Sequence, residues 1–220
     1  MSRLRRVSDV WRADHPWAAV YDFVVERELL ARAAWQVGMG SDVRLLHSAA
    51  AEIGRLPDGA TVLDVPCGGG VALRGLRDHQ RVRYLATDIS AAMLARTAAR
   101  HPRPGVAYVQ ADVEHLPVRD GAVDLCVSFT GLHCFPDPEA AVHEIARVLR
   151  PGGVLTGSAF LNDTGRRYDV LRRVGRVGGL LGRSATRAEL TQWLAAAGLE
   201  DVSLRTSGAL GYFRGRRAGS

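Results

Sequence analysis

The chain has 220 residues, 47% of them hydrophobic, enough for one substantial core. Its formal charge is +6 and all 29 basic residues are arginine, so a lysine-dependent phosphate loop and Schiff-base catalysis are both excluded. No apolar run approaches the roughly 20 residues that span a bilayer, no apolar segment comes after the basic start Met1–Arg6 to make a signal peptide, and three cysteines make no disulfide framework.

A reduced, cytoplasmic protein without a transmembrane segment is therefore expected. The arginines are spread along the chain, with clusters at Arg166-Arg167, at Arg172-Arg173-Arg176 and at Arg214-Gly215-Arg216-Arg217. These clusters read as a solvated face or a disordered basic tail rather than a nucleic-acid surface.

In chain order, residues 16–38 place Val20, Phe23, Val24, Leu29, Leu30, Ala33 and Ala34 at helical spacing, ended by Gly38-Met39-Gly40. Ser41-Asp42 opens a second helix to about Leu56, with Ser41 as its cap. Residues 1–56 thus form an N-terminal helical extension, whose aromatics Trp11, Trp17, Tyr21, Phe23 and Trp35 either close over a ligand and line its pocket or, for most of them, pack the extension onto the sheet. Pro57-Asp58-Gly59 is a turn. Beyond it, strands at 61–65, 82–87, 105–110, 123–129 and 153–160 alternate with helices at 70–78, 90–100, 138–149 and 186–197. Thr186-x-x-Glu189 has the form of a capping box.

That alternation predicts an α/β fold, a parallel sheet covered on both faces. Two extended runs, 201–205 and 209–214, flank Thr206-Ser207-Gly208 and predict a terminal hairpin with an antiparallel edge strand. Ahead of the last helix, 162–184 carries Val170, Val174, Val177 and Leu181 at helical spacing with arginines interleaved, and glycines at 175, 178 and 179 that weaken it as a rigid helix. It reads as a lid, with contact to an anionic lipid surface as a variant.

The chemistry concentrates where strands end. Asp64 closes the first strand and leads into Val65-Pro66-Cys67-Gly68-Gly69-Gly70, a loop with little side chain to hold a ligand away. Thr87-Asp88 closes the second strand and Gln110-Ala111-Asp112-Val113 the third, and ligands of open α/β sheets sit outside such ends. Asp88 stands where a carboxylate would meet both hydroxyls of a ribose. A dinucleotide fingerprint starting at Gly68 and Gly70 needs a third glycine where Leu73 stands. Asp64, just ahead of the loop, would repel a pyrophosphate and attract an ammonium group. A phosphate-free, amino-acid-bearing nucleoside fits better.

At this point the residues resemble the class I S-adenosylmethionine-dependent methyltransferases, in particular the methyltransferase type 11 and ubiquinone/menaquinone methyltransferase-like group. Asp64-Val65-Pro66-Cys67-Gly68-Gly69-Gly70 is similar to that group's D-x-G-C-G-x-G, with Pro66 as the departure. Ala86-Thr87-Asp88-Ile89-Ser90 with Met93-Leu94, Ala111-Asp112-Val113-Glu114-His115-Leu116-Pro117, Leu132-His133-Cys134-Phe135-Pro136-Asp137 and Glu144–Gly153 continue the likeness in order, over about residues 60–160.

The resemblance implies a three-layer Rossmann-like sandwich with a seven-stranded, mostly parallel sheet, and S-adenosyl-L-methionine as cofactor. It implies that the donor's amino acid lies against Asp64, Pro66, Cys67, Gly68, Gly70, Phe129 and Thr130, its ribose against Asp88 and Ile89, and its adenine near Met93, Asp112 and Val113. Tyr21 is expected to reach the cofactor from the extension. Pro66 fixes a negative φ and removes a donor, which the loop must accommodate. His133, just beyond the fourth strand, is the candidate base, and no metal is expected. The expected activity is methyl transfer to an oxygen or carbon of a small-molecule acceptor of quinone, lipid or secondary-metabolite type. The alternatives are a cofactor-binding regulatory module without transfer activity, or an NAD(P)-dependent oxidoreductase.

Overall fold

A computed structural model of the chain describes Gln36 and residues 38–177 and 181–219. The expected helix over 16–38, and Tyr21 with it, lie outside the described residues except for Gln36 and Gly38. Among the described residues the strands are β1 (Thr61–Asp64), β2 (Arg83–Asp88), β3 (Val106–Gln110), β4 (Val123–Phe129), β5 (Leu149–Phe160), β6 (Leu199–Ser207) and β7 (Leu210–Arg217). The helices are α1 (Val43–Ala50), α2 (Ala91–Arg100), α3 (Pro138–Val148), α4 (Asp169–Val177) and α5 (Arg187–Ala196).

The sheet has seven strands in the order β3-β2-β1-β4-β5-β7-β6. β1 to β5 pair in parallel, while β7 pairs antiparallel with both β5 and β6. The hairpin is present, but the antiparallel strand is not the edge. β7 lies inside, and β6, reversed once more by the turn at Gly208-Ala209, closes the edge in the direction of the parallel strands. Because β7 is paired on both sides, Arg214, Arg216 and Arg217 belong to a strand and not to a disordered tail. Arg214 meets Glu52 at 3.2 Å and Arg216 meets Asp201 at 3.8 Å.

Both faces of the sheet are covered, as its near-continuous apolar strands require. On one side Leu63, Cys126 and Leu155 pack with Ile145 of α3 and with Leu190, Trp193 and Leu194 of α5. On the other, Val62, Tyr84, Ala86 and Val127 pack with Leu46 and Ala50 of α1 and Leu94 of α2. Thr186 and Glu189 form the expected capping box at α5, each side chain bonded to the other's backbone.

Three elements differ from the pattern read in the sequence. The helix expected over 41–56 divides into α1 and a single 3-10 turn at Ile53–Arg55. Its cap is Asp42, whose side chain accepts from the Arg44 amide at 2.9 Å, while Ser41 is buried with its hydroxyl 2.9 Å from that of Tyr212. The helix expected over 70–78 is only a 3-10 turn at Ala72–Gly75. A Cβ at Gly75 would collide with the Ala50 carbonyl oxygen, so α1 packs directly on the backbone there and the turn goes no further. Strand β5 starts at Leu149 instead of 153, taking over straight from α3 with a register shift against β4.

Candidate functional site

The strand order sets the expected acids side by side. Asp112 beyond β3, Asp88 at the end of β2 and Asp64 at the end of β1 occupy consecutive strand ends, and Phe129-Thr130 comes next at the end of β4. The glycine loop leaves β1 among them. It is tied down by its own backbone: the Val65 amide donates to Val127 O at 3.0 Å, the Cys67 amide to Thr87 O at 2.8 Å and the Gly70 amide to Cys67 O at 2.8 Å.

Asp88 braces this loop to α2. Its Oδ2 accepts from the Gly68 amide at 3.0 Å and its Oδ1 from the Ser90 amide at 2.9 Å. Ser90 in turn caps α2 by accepting from the Met93 amide, and Thr97 of α2 donates its hydroxyl to the Gly68 carbonyl. Each carboxylate oxygen carries two acceptor sites, so the backbone amides leave part of the carboxylate's capacity unfilled. Burial pushes the Asp88 carboxyl up, against the Ser90, Gly68 and Ile89 amides and the Arg96 charge, which favour its ionised form.

Two glycines of the loop are needed for different reasons. Gly70 sits at φ +80°, and a Cβ there would strike the His101 ring at 2.8 Å and the Thr97 methyl at 3.0 Å. Gly68 sits at φ +45°, and among the described residues a Cβ there would meet only Met93 Cε, at 3.9 Å. That open side, beside a bonded carboxylate, is a cradle a ligand could fill.

Pro66 finds its place through a residue that carries no signal of its own in the sequence. A Cβ at Gly131 would collide with Pro66 Cδ, so the turn after β4 makes room for the ring. As expected from proline, φ at 66 is not positive, and the Val65–Pro66 peptide is cis.

Asp64 is almost wholly buried, and the Tyr84 hydroxyl donates to its Oδ2 at 2.8 Å. Burial pushes its carboxyl up to about 8, with the Tyr84 bond acting against and the nearby Asp88 charge acting with it. Burial thus favours the neutral, protonated carboxyl over the negative charge read at this position from the sequence. Cys67 is buried and its thiol is pushed up by burial and the two acids, which makes it a packing group.

At the other flank, Thr130 holds φ +52°, costly for a β-branched residue. Its amide is fixed by Ser158, donating to the carbonyl at 2.8 Å and to Oγ at 3.1 Å. His133, in the next 3-10 turn, is buried, and its Nδ1 accepts from the Phe160 amide at 3.3 Å with the Phe160 ring edge-on at 4.9 Å. Desolvation lowers it to about 3, so it is neutral across the physiological range and a weak proton acceptor.

The Asp112 loop is a tight turn. Asp112 Oδ1 accepts from the Glu114 amide at 3.2 Å, its carbonyl accepts from the His115 amide, and Val113 is buried beneath. Glu144 of α3 anchors the far end, accepting from the Leu116 amide at 2.8 Å while Arg147 bonds both Glu144 and the Leu116 carbonyl. Sequence reasoning does not single out Ser90, Thr97, Gly131, Ser158 or Glu144 individually as site residues. Ser90, three residues before Met93, carries a helix-cap signal, and Thr97 lies on the same helix face. The other three depend on contacts between segments distant in the chain.

Residues 63–156 match the family model described as a methyltransferase domain. A probable phthiotriol/phenolphthiotriol dimycocerosates methyltransferase 2 from Mycobacterium ulcerans is 32% identical over 151 residues, 67% of this chain and 49% of that protein. A phthiotriol/phenolphthiotriol dimycocerosates methyltransferase from Mycobacterium tuberculosis is 34% identical over 112 residues, 50% of this chain and 41% of that protein. The chain thus spans about half the length, or less, of these curated relatives. Among solved structures, the complex of the Haloferax volcanii Trm112 methyltransferase activator with a putative methyltransferase aligns with a TM-score of 0.68 at 22% identity, covering 86% of this chain and 96% of that one. A CurJ carbon methyltransferase aligns with a TM-score of 0.68 at 16% identity, covering 92% and 61%. These structures share the fold. Family model, relatives and sheet order agree: residues 63–156 form a methyltransferase domain, similar to those of the class I S-adenosylmethionine-dependent methyltransferases.

Proposed function

We propose that the protein transfers a methyl group from S-adenosyl-L-methionine to an oxygen or carbon of a small, lipophilic acceptor. The observation that carries this reading is the buried Asp88 carboxylate. It is bonded to the glycine-loop amide, keeps acceptor capacity to spare and lies beside the open face of Gly68.

A ribose diol would use that capacity through two charge-assisted hydrogen bonds. The Gly68 cradle and the Phe129-Thr130 turn would hold the amino-acid end, and Val113 with Asp112 would flank the base. When bound, the donor supplies an electrophilic methyl group on a sulfonium. The residues of this chain bind and align. Alignment alone corresponds to about 7–11 kcal/mol of barrier in well-oriented reactions, and no general base is assigned. The relatives' names refer to methyltransferases of phthiotriol and phenolphthiotriol dimycocerosates, which supports a lipophilic acceptor. The [4+2]-cyclase SpnF shares this fold with a TM-score of 0.64, so donor binding and transfer need separate measurement.

Isothermal titration should show S-adenosylmethionine binding in preference to NADPH. Incubation with labelled donor and fractionated lipids or quinones should then release S-adenosylhomocysteine with label in the acceptor. Binding without release under any acceptor would favour a regulatory module, and preference for the dinucleotide would favour an oxidoreductase.

A further inference from the structure

The segment after β5 contains a helix turned inside out. In α4, Val170, Val174 and Val177 recur at i, i+4 and i+7 and share one face, which is where a soluble helix normally meets its core. Here they are exposed at 73%, 64% and 86%, with Leu171 beside them. The opposite face carries Arg172, which is buried at 3% exposure. All three of its guanidinium nitrogens are engaged, donating to Leu161 O at 3.0 Å, Gly165 O at 3.2 Å, Asp169 Oδ1 at 2.7 Å and Thr164 Oγ1 at 2.6 Å. Gly175, next to Arg172 on that inner face, lets Leu181 close in, and a Cβ there would stand 2.6 Å from Leu181 Cδ1. The helix is therefore pinned through an arginine and a glycine, and its apolar stripe points away from the body of the protein.

Among the described residues, the charge around the stripe is mainly positive. Arg166, Arg167, Arg173 and Arg176 are exposed on the helix and the turn before it. Of the acids among the described residues there, Asp169 pairs with Arg172 and Asp163 with Arg187. A valine ridge fringed by arginines complements an anionic lipid surface, where apolar side chains enter the acyl boundary and guanidinium groups meet the headgroups.

We propose that α4 docks the protein on an anionic lipid membrane. The segment also sits at the carboxyl end of the sheet: β5 runs into it, and the Gly182 amide donates to His133 O at 2.7 Å beside the candidate site. On the methyltransferase reading, a lipophilic acceptor would pass from the lipid layer to the strand ends without crossing water. That use rests on the proposed function, whereas the docking itself does not.

Co-sedimentation of the full chain with vesicles tests it. Vesicles of equal parts phosphatidylcholine and phosphatidylglycerol should carry the protein down, and vesicles of phosphatidylcholine alone should not. The double variant Val174→Asp, Val177→Asp should lose at least about tenfold in vesicle affinity, with an unchanged melting temperature because both side chains are already in water. Arg173→Gln should weaken binding to the anionic vesicles, and raised salt should do the same. Equal sedimentation of wild type and double variant, or none with either vesicle, overturns the proposal. So does a dimer in gel filtration that the double variant converts to monomer, since a second copy would then cover the stripe. Donor titration of the same samples separates the two readings: vesicle binding without S-adenosylmethionine binding would remove the function and leave the docking surface.

Discussion

The phenol of Tyr84 on β2 donates a 2.8 Å hydrogen bond to the carboxyl of Asp64 on β1, inside the sheet and away from solvent. Register explains the meeting. Tyr84 lies opposite Val62 and Asp64 opposite Ala86, so the two are diagonal neighbours on one face. Burial therefore favours the neutral, hydrogen-bonded form of the acid that opens the glycine loop.

That arrangement makes stability depend on pH in a definite direction. The Asp64 carboxyl is raised from 3.8 to about 8 by folding, so the folded state holds a proton that the unfolded chain gives up. Its contribution is fully present below about pH 4 and is lost as pH rises through about 8. Denaturant unfolding across that window should show the decline in the wild type and a flatter profile in Asp64→Asn, which mimics the protonated acid. Parallel profiles would mean that Asp64 is ionised in the folded protein.

Asp88 carries the donor assignment. Asp88→Ala removes the acceptor of two amides and of the proposed diol together. Hydrogen bonds to a charged group contribute about 1.5–3 kcal/mol each, so S-adenosylmethionine affinity should fall at least about tenfold by isothermal titration. Asp88→Asn keeps one acceptor oxygen and should fall between the two. Undiminished binding in the alanine variant would remove the ribose role.

His133 should behave as a structural group. Its ring nitrogen accepts the Phe160 amide, and desolvation holds its pKa at about 3 against an ordinary 6.5. Its share of stability is present above about pH 6.5 and is lost as pH falls towards 3. His133→Phe strands a buried amide at a cost of about 1–3 kcal/mol, a fall of several degrees in Tm at about 2–4 °C per kcal/mol. His133→Gln can restore an acceptor and should keep methyl transfer within about tenfold, with no change in the pH–rate profile. A loss of about 10²–10⁴-fold in the Gln variant at unchanged Tm is the signature of a lost base and would reinstate that role.

The strand ends are legible in the sequence because their signals are local: an apolar run, an acid, then glycine or a capping serine. The sheet order is not legible from the residues alone, since it depends on crossovers, and a hairpin read from sequence puts its antiparallel strand at the edge when β7 in fact lies inside. Periodicity overestimates helix length around the loop because it does not show that Ala50 O closes on Gly75. The apolar spacing of α4 is visible, but its outward orientation is not, because a buried arginine on the inner face runs against the usual rule. Pro66 looks anomalous in isolation and is ordinary beside Gly131, a contact between loops distant in the chain.

Glu144 is a positioning residue whose effect should separate donor affinity from chemistry. It lies on α3 and reaches the Asp112 loop through the Leu116 amide at 2.8 Å. Arg147 completes the clamp, bonding both Glu144 oxygens at 2.7 Å and donating to Leu116 O at 3.3 Å. The pair keeps Glu144 below the usual carboxylate range, so the clamp is charged at neutral pH. Its partial exposure limits what the ion pair adds to global stability. Glu144→Ala frees the end of the loop that would flank the donor's base and touches nothing at the glycine cradle. The expected result is a several-fold rise in KM for S-adenosylmethionine with kcat near the wild-type value. Glu144→Gln, which can still accept from the Leu116 amide, should recover most of the loss. An equal fall in kcat for both variants would place Glu144 in the chemistry instead of the scaffold.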